Sequence, residues 1–413
     1  MRSSPLILSL YLMQSVAFAQ SHEQKQPNVL FICIDDLRTE LGCYGSMVKS
    51  PHLDKLASEG SLFYNHYAQV PTSGASRACL LTGHAPSKPS DLSNEACRIN
   101  ISGKPEREQA ESFIHHLRRQ GYRTVGIGKI SHQPDGYLQT KQGRQLELPH
   151  SWDEMLIDPG RWETGEQAFF GYADGSDRAS RKHQVPPYER GEIDDMGYLD
   201  GYSAQLAIKK LQKLSQSKQA FCLAVGFISP HLPFNSPAKY WDLYQRANIP
   251  TTSYDIPLNT SNVGLHQNGE FNIYKKGDEK LNLQHPASEA YAKKLRHGYY
   301  SAISYTDAQI GKVLDELHRL GLDENTIIIV WGDHGWHLGD MRIWGKHTLL
   351  EPALKSTLII KAPGKKAQIQ NHRIVSSIDI YPTLMELCGI PCPKVLTVKV
   401  LPIYSINHMI PNG

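Results

Sequence analysis

The sequence predicts an α/β fold in which a mostly parallel central sheet is sandwiched by helices. Three observations carry this. Several uninterrupted apolar runs have strand length, amphipathic helical stripes lie between them, and ionisable residues fall just past the strands' C-terminal ends. A strand that is apolar on both faces belongs in a sheet covered on both sides, and parallel pairing needs a crossover such as a helix.

Val29–Ile34, the first element, is an unbroken apolar strand, with Asp35 and Asp36 directly after it. Phe113, Ile114 and Leu117 mark a short helix closed by Gly121, and Thr124–Ile127 reads as the next strand. Ala207, Ile208, Leu211 and Leu214 form a helical stripe leading to the buried-type strand Phe221–Ile228. Tyr299–Leu320 carries Ile303, Ile310, Val313, Leu314 and Leu317 at helical spacing, stops at Gly321, and leads into the strand Thr326–Trp331. Segments 134–200 and 234–290 are rich in Gly, Pro, Tyr and charge without periodicity. They read as long surface insertions that shape a substrate pocket. There are no internal repeats.

The N-terminus has its own logic. Arg2 precedes the apolar run Pro5–Val16, and Ala17-Phe18-Ala19 offers a small-x-small cleavage site. Residues 1–19 therefore read as a secretory signal peptide, too short to span a bilayer, which predicts a secreted or periplasmic protein with no membrane span. The 413 residues are 40% hydrophobic, with 44 Lys+Arg against 41 Asp+Glu. This composition excludes a disordered chain and a polytopic membrane protein, and a net charge of +3 argues for no nucleic-acid partner. The seven cysteines form no dense framework and no CxxC pair. Cys33 and Cys222, inside apolar strands, read as buried thiols, while Cys388 and Cys392 are close enough in sequence to bridge.

The ionisable residues are arranged more tellingly than they are numerous. Asp35-Asp36, Lys129 with His132, His231, and Asp333-His334 all occur just past a strand, at the edge where open α/β sheets bind ligands. The stretch Pro71–Gly83 is a turn of small residues bearing a hydroxyl, with Arg77 one helical turn later. A helix N-terminus and a guanidinium fork suit an anion, although a capped helix with a surface Arg explains the same residues equally well.

The motifs decide between those readings. Ser73-Gly74-Ala75-Ser76-Arg77, with Leu81-Thr82-Gly83 behind it, resembles the sulfatase signature, in the serine-type bacterial form. Pro27–Leu30 before Asp35-Asp36, Ser50–Ala57, Gly128-Lys129 with His132, Ser229–Pro233, Gly332–Gly335 and Gly345-Lys346 match further family marks over residues 27–390. Within the family, His334 and the segments 230–234 and 332–340 look most like the iduronate-2-sulfatase branch and its bacterial relatives. The resemblance implies an alkaline-phosphatase-like fold with a catalytic domain over 27–390. The usual small C-terminal antiparallel subdomain would be short or absent in the tail 391–413.

It also implies a chemistry, hydrolysis of sulfate monoesters on a sulfated saccharide such as a uronate 2-O-sulfate. Ser73 would be oxidised to formylglycine (3-oxoalanine) by a serine-type maturase before export. One Ca2+ would be held by Asp35, Asp36, Ser73, Asp333 and His334. Hard carboxylate oxygens suit calcium, three converging carboxylates repel one another without a cation, and imidazole is the softest ligand of the set. Arg77, Lys129 and Lys346 would face the sulfate oxygens. His231, between the stiff Pro230 and Pro233, would be the acid for the leaving alcohol, and His132 would accept a proton from the formylglycine hydrate.

Two other functions fit less well. A phosphatase, phosphodiesterase or phosphonate hydrolase on the same scaffold with two metals needs Asp/His ligands where Lys129 and Lys346 stand. An inactive carbohydrate-binding relative would not need every catalytic position filled.

Overall fold

In the computed structural model the apolar runs form the centre of one eight-stranded sheet. Its strands are β1 (Asn28–Ile34), β2 (Ser61–Tyr67), β3 (Arg123–Gly128), β4 (Glu154–Leu156), β5 (Phe221–Phe227), β6 (Thr326–Gly332), β7 (Leu358–Lys361) and β8 (Ile369–Ser376), in the order β8-β2-β7-β6-β1-β5-β3-β4. Every neighbouring pair is parallel except those made by β7, which is antiparallel to both β6 and β2. The structure describes residues 26–101 and 110–393, with 396 and 401. The signal peptide expected at 1–19 lies outside the described residues, as does most of the tail expected at 391–413.

The faces of β1 show how the sheet is covered. Leu30, Ile32 and Ile34 pack with α1 (Pro51–Glu59), α4 (Leu199–Leu214) and α5 (Glu289–Arg319) through Leu53, Leu211, Ile303 and Ile310. Val29, Phe31 and Cys33 point the other way, to α2 (Ser73–Thr82), α3 (Phe113–Arg119) and α6 (Ile380–Leu387), through Leu80, Phe113 and Leu384. All seven residues of β1 are buried, as period-two alternation under helices on both sides requires. Each such Leu, Ile or Phe contributes about 1.5–3 kcal/mol on leaving water.

The structure differs from the sequence reading in two places. Helix α5 starts at Glu289, ten residues earlier than the stripe from Tyr299 suggests, because Ser288 Oγ caps it by accepting from Tyr291 N (3.2 Å) and Ala292 and Leu295 extend the buried face. The two insertions are not merely superficial. They bury Trp162, Phe169, Tyr172, Trp241 and Phe271, and they join each other where Tyr188–Gly191 pairs in parallel with Phe234–Pro237. No disulfide links Cys388 to Cys392, and all seven cysteines are free thiols. No helix among the described residues is long and apolar enough to cross a membrane.

Candidate active site

Register brings the chemistry together. Ile34 pairs with both Phe227 and Gly332, and Gly128 pairs with Gly226, so β1, β5, β6 and β3 end at one level. Asp35, Asp333, Lys129 and the His231 loop leave the sheet at that rim. Asp36 has left-handed backbone (φ 60°), which lets two consecutive carboxylates serve one site where an extended strand would point them apart. Its N–H donates to Asp333 Oδ1 (2.9 Å) and its carbonyl accepts from Tyr299 Oη (2.6 Å). Lys129 is set by a close approach of backbones: a Cβ on Gly226 would lie 2.2 Å from the Lys129 carbonyl oxygen. The buried Asp200 carboxylate accepts from Ile228 N (2.8 Å) and Ser229 N (3.0 Å), which fixes the start of the His231 loop.

Helix α2 is buried along its whole length and puts Ser73 at its first turn. Ser73 Oγ donates to Asp35 Oδ1 (3.2 Å), lies 3.0 Å from His334 Nε2, and accepts from Lys346 Nζ at 3.5 Å. Gly74 fits against Asn94, whose Oδ1 accepts from Gly74 N (3.1 Å). Ser76 Oγ donates to the Asp333 carbonyl (2.5 Å). Arg77 is fully buried. It donates from Nε to Asp333 Oδ2 (3.2 Å) and from Nη1 to the carbonyls of Lys129 (2.7 Å) and Ile130 (3.2 Å), and its Nη2 pairs with Asp333 (3.2 Å) and Asp35 (3.5 Å). It braces the carboxylates from behind and is not among the residues lining the pocket above Ser73.

That pocket holds about 600 Å3 and is lined by Ser73, Lys129, His132, His231 and Lys346, with residues of both insertions. Lys129 Nζ donates to Asp35 Oδ2 (2.5 Å) and Lys346 Nζ to Asp36 Oδ1 (2.9 Å). His231 directs Nδ1 at the Leu232 carbonyl (2.7 Å), leaving Nε2 3.3 Å from Glu270 Oε1 and 3.8 Å from Asp36 Oδ2. Ten residues singled out in the sequence thus meet in one place, nine around the pocket floor and Arg77 beneath it.

A family model described as Sulfatase matches residues 27–390. The chain belongs to the sulfatase family. It is a sulfuric ester hydrolase of alkaline-phosphatase-like fold. This sulfatase is 29% identical to iduronate 2-sulfatase of Mus musculus over 89% of its own chain and 69% of that protein. It is 26% identical to N-acetylglucosamine-6-O-sulfatase of Bacteroides thetaiotaomicron over 95% and 74%. Among solved structures it resembles the phosphonate monoester hydrolase of Silicibacter pomeroyi, with a TM-score of 0.66 and 25% identity, covering 91% of this chain and 76% of that one.

The sulfatase's donor set can be tested for a metal. Asp35, Asp36, Asp333 and His334 are buried and offer ligand atoms within 4.8 Å of one another. Repulsion among the three carboxylates does not by itself demand an ion, because Arg77, Lys129 and Lys346 already pair with them. The stronger sign is an atom with coordination to spare: Asp36 Oδ2 is buried with no hydrogen-bond partner. His334, with Nδ1 facing the Gly335 carbonyl (3.0 Å), turns the lone pair of Nε2 toward Ser73 Oγ (3.0 Å) at the same place. Three carboxylates with a hydroxyl oxygen fit a hard cation such as calcium.

The electrostatics arise from burial and these pairs. Burial raises the Asp36 and Asp333 carboxyls, and Asp35 adds to both. Against burial, Lys129, His231 and Arg77 hold the Asp35 carboxyl well below the usual range. Burial lowers Lys129, whereas Lys346, opposed by burial, is raised by Asp36 and Glu270. Burial, then Lys129, brings His132 down to about 3.

Sequence reasoning missed Glu270, Asn94, Arg178 and the Phe169-Phe170 pair. Glu270 meets His231, Lys346 (3.6 Å) and His347 (3.7 Å), and the Phe169 ring lies 4.5 Å from Lys129 Nζ and 4.8 Å from the His231 ring. Except for Asn94, they sit in the aperiodic insertions, where neither spacing nor motif marks a residue.

Proposed function

We propose that this sulfatase removes sulfate from a sugar of a sulfated polysaccharide or glycosaminoglycan, with Ser73 matured to formylglycine and Ca2+ on Asp35, Asp36, Asp333, His334 and residue 73. The observation that carries the reading is the pocket floor, where residue 73 lies between a carboxylate cradle and two ammonium groups. The iduronate and N-acetylglucosamine sulfatases among its relatives support a sugar substrate. The matured side chain supplies the nucleophilic oxygen and the bound ion supplies Lewis-acid stabilisation of sulfate oxygens.

The chain's own residues do the rest. Lys129 and Lys346, both almost fully buried, neutralise charge on the sulfate oxygens, and fixed charges act most strongly where water is excluded. With Nδ1 donating to the Leu232 carbonyl, His231 carries a proton on Nε2 only as imidazolium. Burial and Lys346 lower its pKa, which makes that proton readily given up, while Asp35 and the Glu270 carboxylate at 3.3 Å oppose the shift and orient Nε2 for delivery to the leaving alcohol oxygen. Burial and Lys129 keep His132 neutral, so its lone pair is free to accept a proton, while the same two effects weaken it as a base. Export through residues 1–19 and prior action of a serine-type maturase complete the reading.

The test is maturation. Ser73 has the His334 imidazole beside it, so an intact serine nucleophile is the alternative to be excluded. Protein made without a maturase should fold and be nearly inactive, and co-expression should yield a peptide two hydrogens lighter with activity restored. Full sulfatase turnover with Ser73 intact would refute the formylglycine step. The likeness to a phosphonate monoester hydrolase favours phosphonate esters as a second substrate class, and kcat/KM on matched aryl sulfate and aryl phosphonate esters ranks the two.

A further inference from the structure

Resting on that reading, we propose that Arg178 forms a second anion subsite in the same pocket, so that the preferred substrate is a sulfated sugar bearing another negative group near the scissile sulfate, a carboxylate or a second sulfate. The guanidinium lines the pocket that Ser73, Lys129 and Lys346 line. It is clamped by aromatic rings, with its carbon 3.5 Å from the Phe170 ring centroid and 5.5 Å from that of Tyr274. One N–H donates to Tyr274 Oη (3.3 Å). No carboxylate among the described residues pairs with it.

That combination is unusual. A surface Arg normally finds an acid or swings freely in water, whereas this one is half-buried, held flat, and left with most of its five donors unused. Of the pocket's two acids, Glu270 is committed to His231, Lys346 and His347, and Glu166 stands at the exposed rim, so neither neutralises it. The Phe169-Phe170 pair (4.5 Å) ties the two ends of the pocket together. Phe169 lies under Lys129 and against His231, and Phe170 carries Arg178. The unpaired fork and the sulfate-binding lysines therefore line one pocket along the same aromatic wall, Arg178 against Phe170 and Lys129 against Phe169. A planar bidentate donor matches a carboxylate or a sulfate face.

The experiment compares kcat/KM of the matured, calcium-loaded enzyme on a neutral hexose monosulfate, a uronate 2-sulfate and a hexosamine disulfate. Wild type should prefer one or both doubly anionic sugars, and Arg178→Gln should lower the ratio of doubly to singly anionic kcat/KM by ~10–100-fold, the value of one charge-assisted pair. Which ratio falls tells carboxylate from second sulfate. A merely structural role, loosening the insertions through Tyr274, would lower all three substrates together and overturn the subsite. So would a wild-type enzyme that shows no preference, a result that needs no variant to fold. Failure of the wild type to desulfate any sugar would instead overturn the function itself, and the subsite with it.

Discussion

Replacing Arg77 by Met tests what the fold has done with the signature arginine. If the guanidinium met the sulfate directly, its loss would appear in turnover and leave the fold intact. The structure instead turns it to Asp333, Asp35 and the carbonyls of Lys129 and Ile130, with none of its side chain exposed and Nη2 held by ion pairing to the two carboxylates without a hydrogen bond. Breaking a buried ion pair from one side strands the partner charges and costs about 3–5 kcal/mol. For a domain of this size that corresponds to a melting temperature lower by roughly 4–7 °C. Thermal unfolding monitored by circular dichroism, in EDTA so that metal loading does not confound it, reads the effect. Activity should fall as well, because the carboxylates and Lys129 lose their common brace. An Arg77→Met protein that melts within a degree of wild type while losing activity would refute the bracing role.

Three further outcomes are expected. His231→Gln should lower kcat/KM on sugar sulfates by about 100-fold or more and on activated aryl sulfates far less, because only a poor leaving group needs the proton; equal losses would exclude His231 as the acid. Asp36→Asn should abolish calcium-dependent thermal stabilisation, measured as the melting difference between calcium and EDTA, since it removes the buried oxygen without a partner. His66, buried on β2 between Ser356 and Ser377, has its pKa lowered from 6.5 to about 4 by burial. The unfolded chain therefore takes up a proton before the folded one does. The stability this histidine confers is complete above pH 6.5 and is lost as pH falls toward 4, a change of about 3 kcal/mol. Urea unfolding at pH 7 and pH 5 should show that slope in wild type and a shallower one in His66→Gln, and identical slopes would exclude the assignment.

Much of this protein is legible in its residues. The strands at Val29–Ile34 and Ile327–Trp331 are apolar on every position, a pattern that only a sheet covered on both faces tolerates. Shared chain direction in such a sheet puts the residues just past each strand on one rim, so Asp35, Lys129, His231 and Asp333 are placed by topology before any coordinates are known. The family signature adds Ser73 and Arg77 because their spacing is a property of one helix turn.

Tertiary structure decided the rest. Which way Arg77 points depends on the Lys129 and Ile130 carbonyls, 52 and 53 residues away along the chain. That His334 sits beside Ser73 is a contact across 261 residues. Glu270 and Arg178 come from segments without periodicity, and their place in the pocket is set by aromatic packing and a strand pair between the two insertions. Local sequence encodes periodicity and turn chemistry, which act over a few residues. The direction of a side chain and the partner of a charge are fixed by packing between segments far apart in the chain, and only the folded structure contains that information.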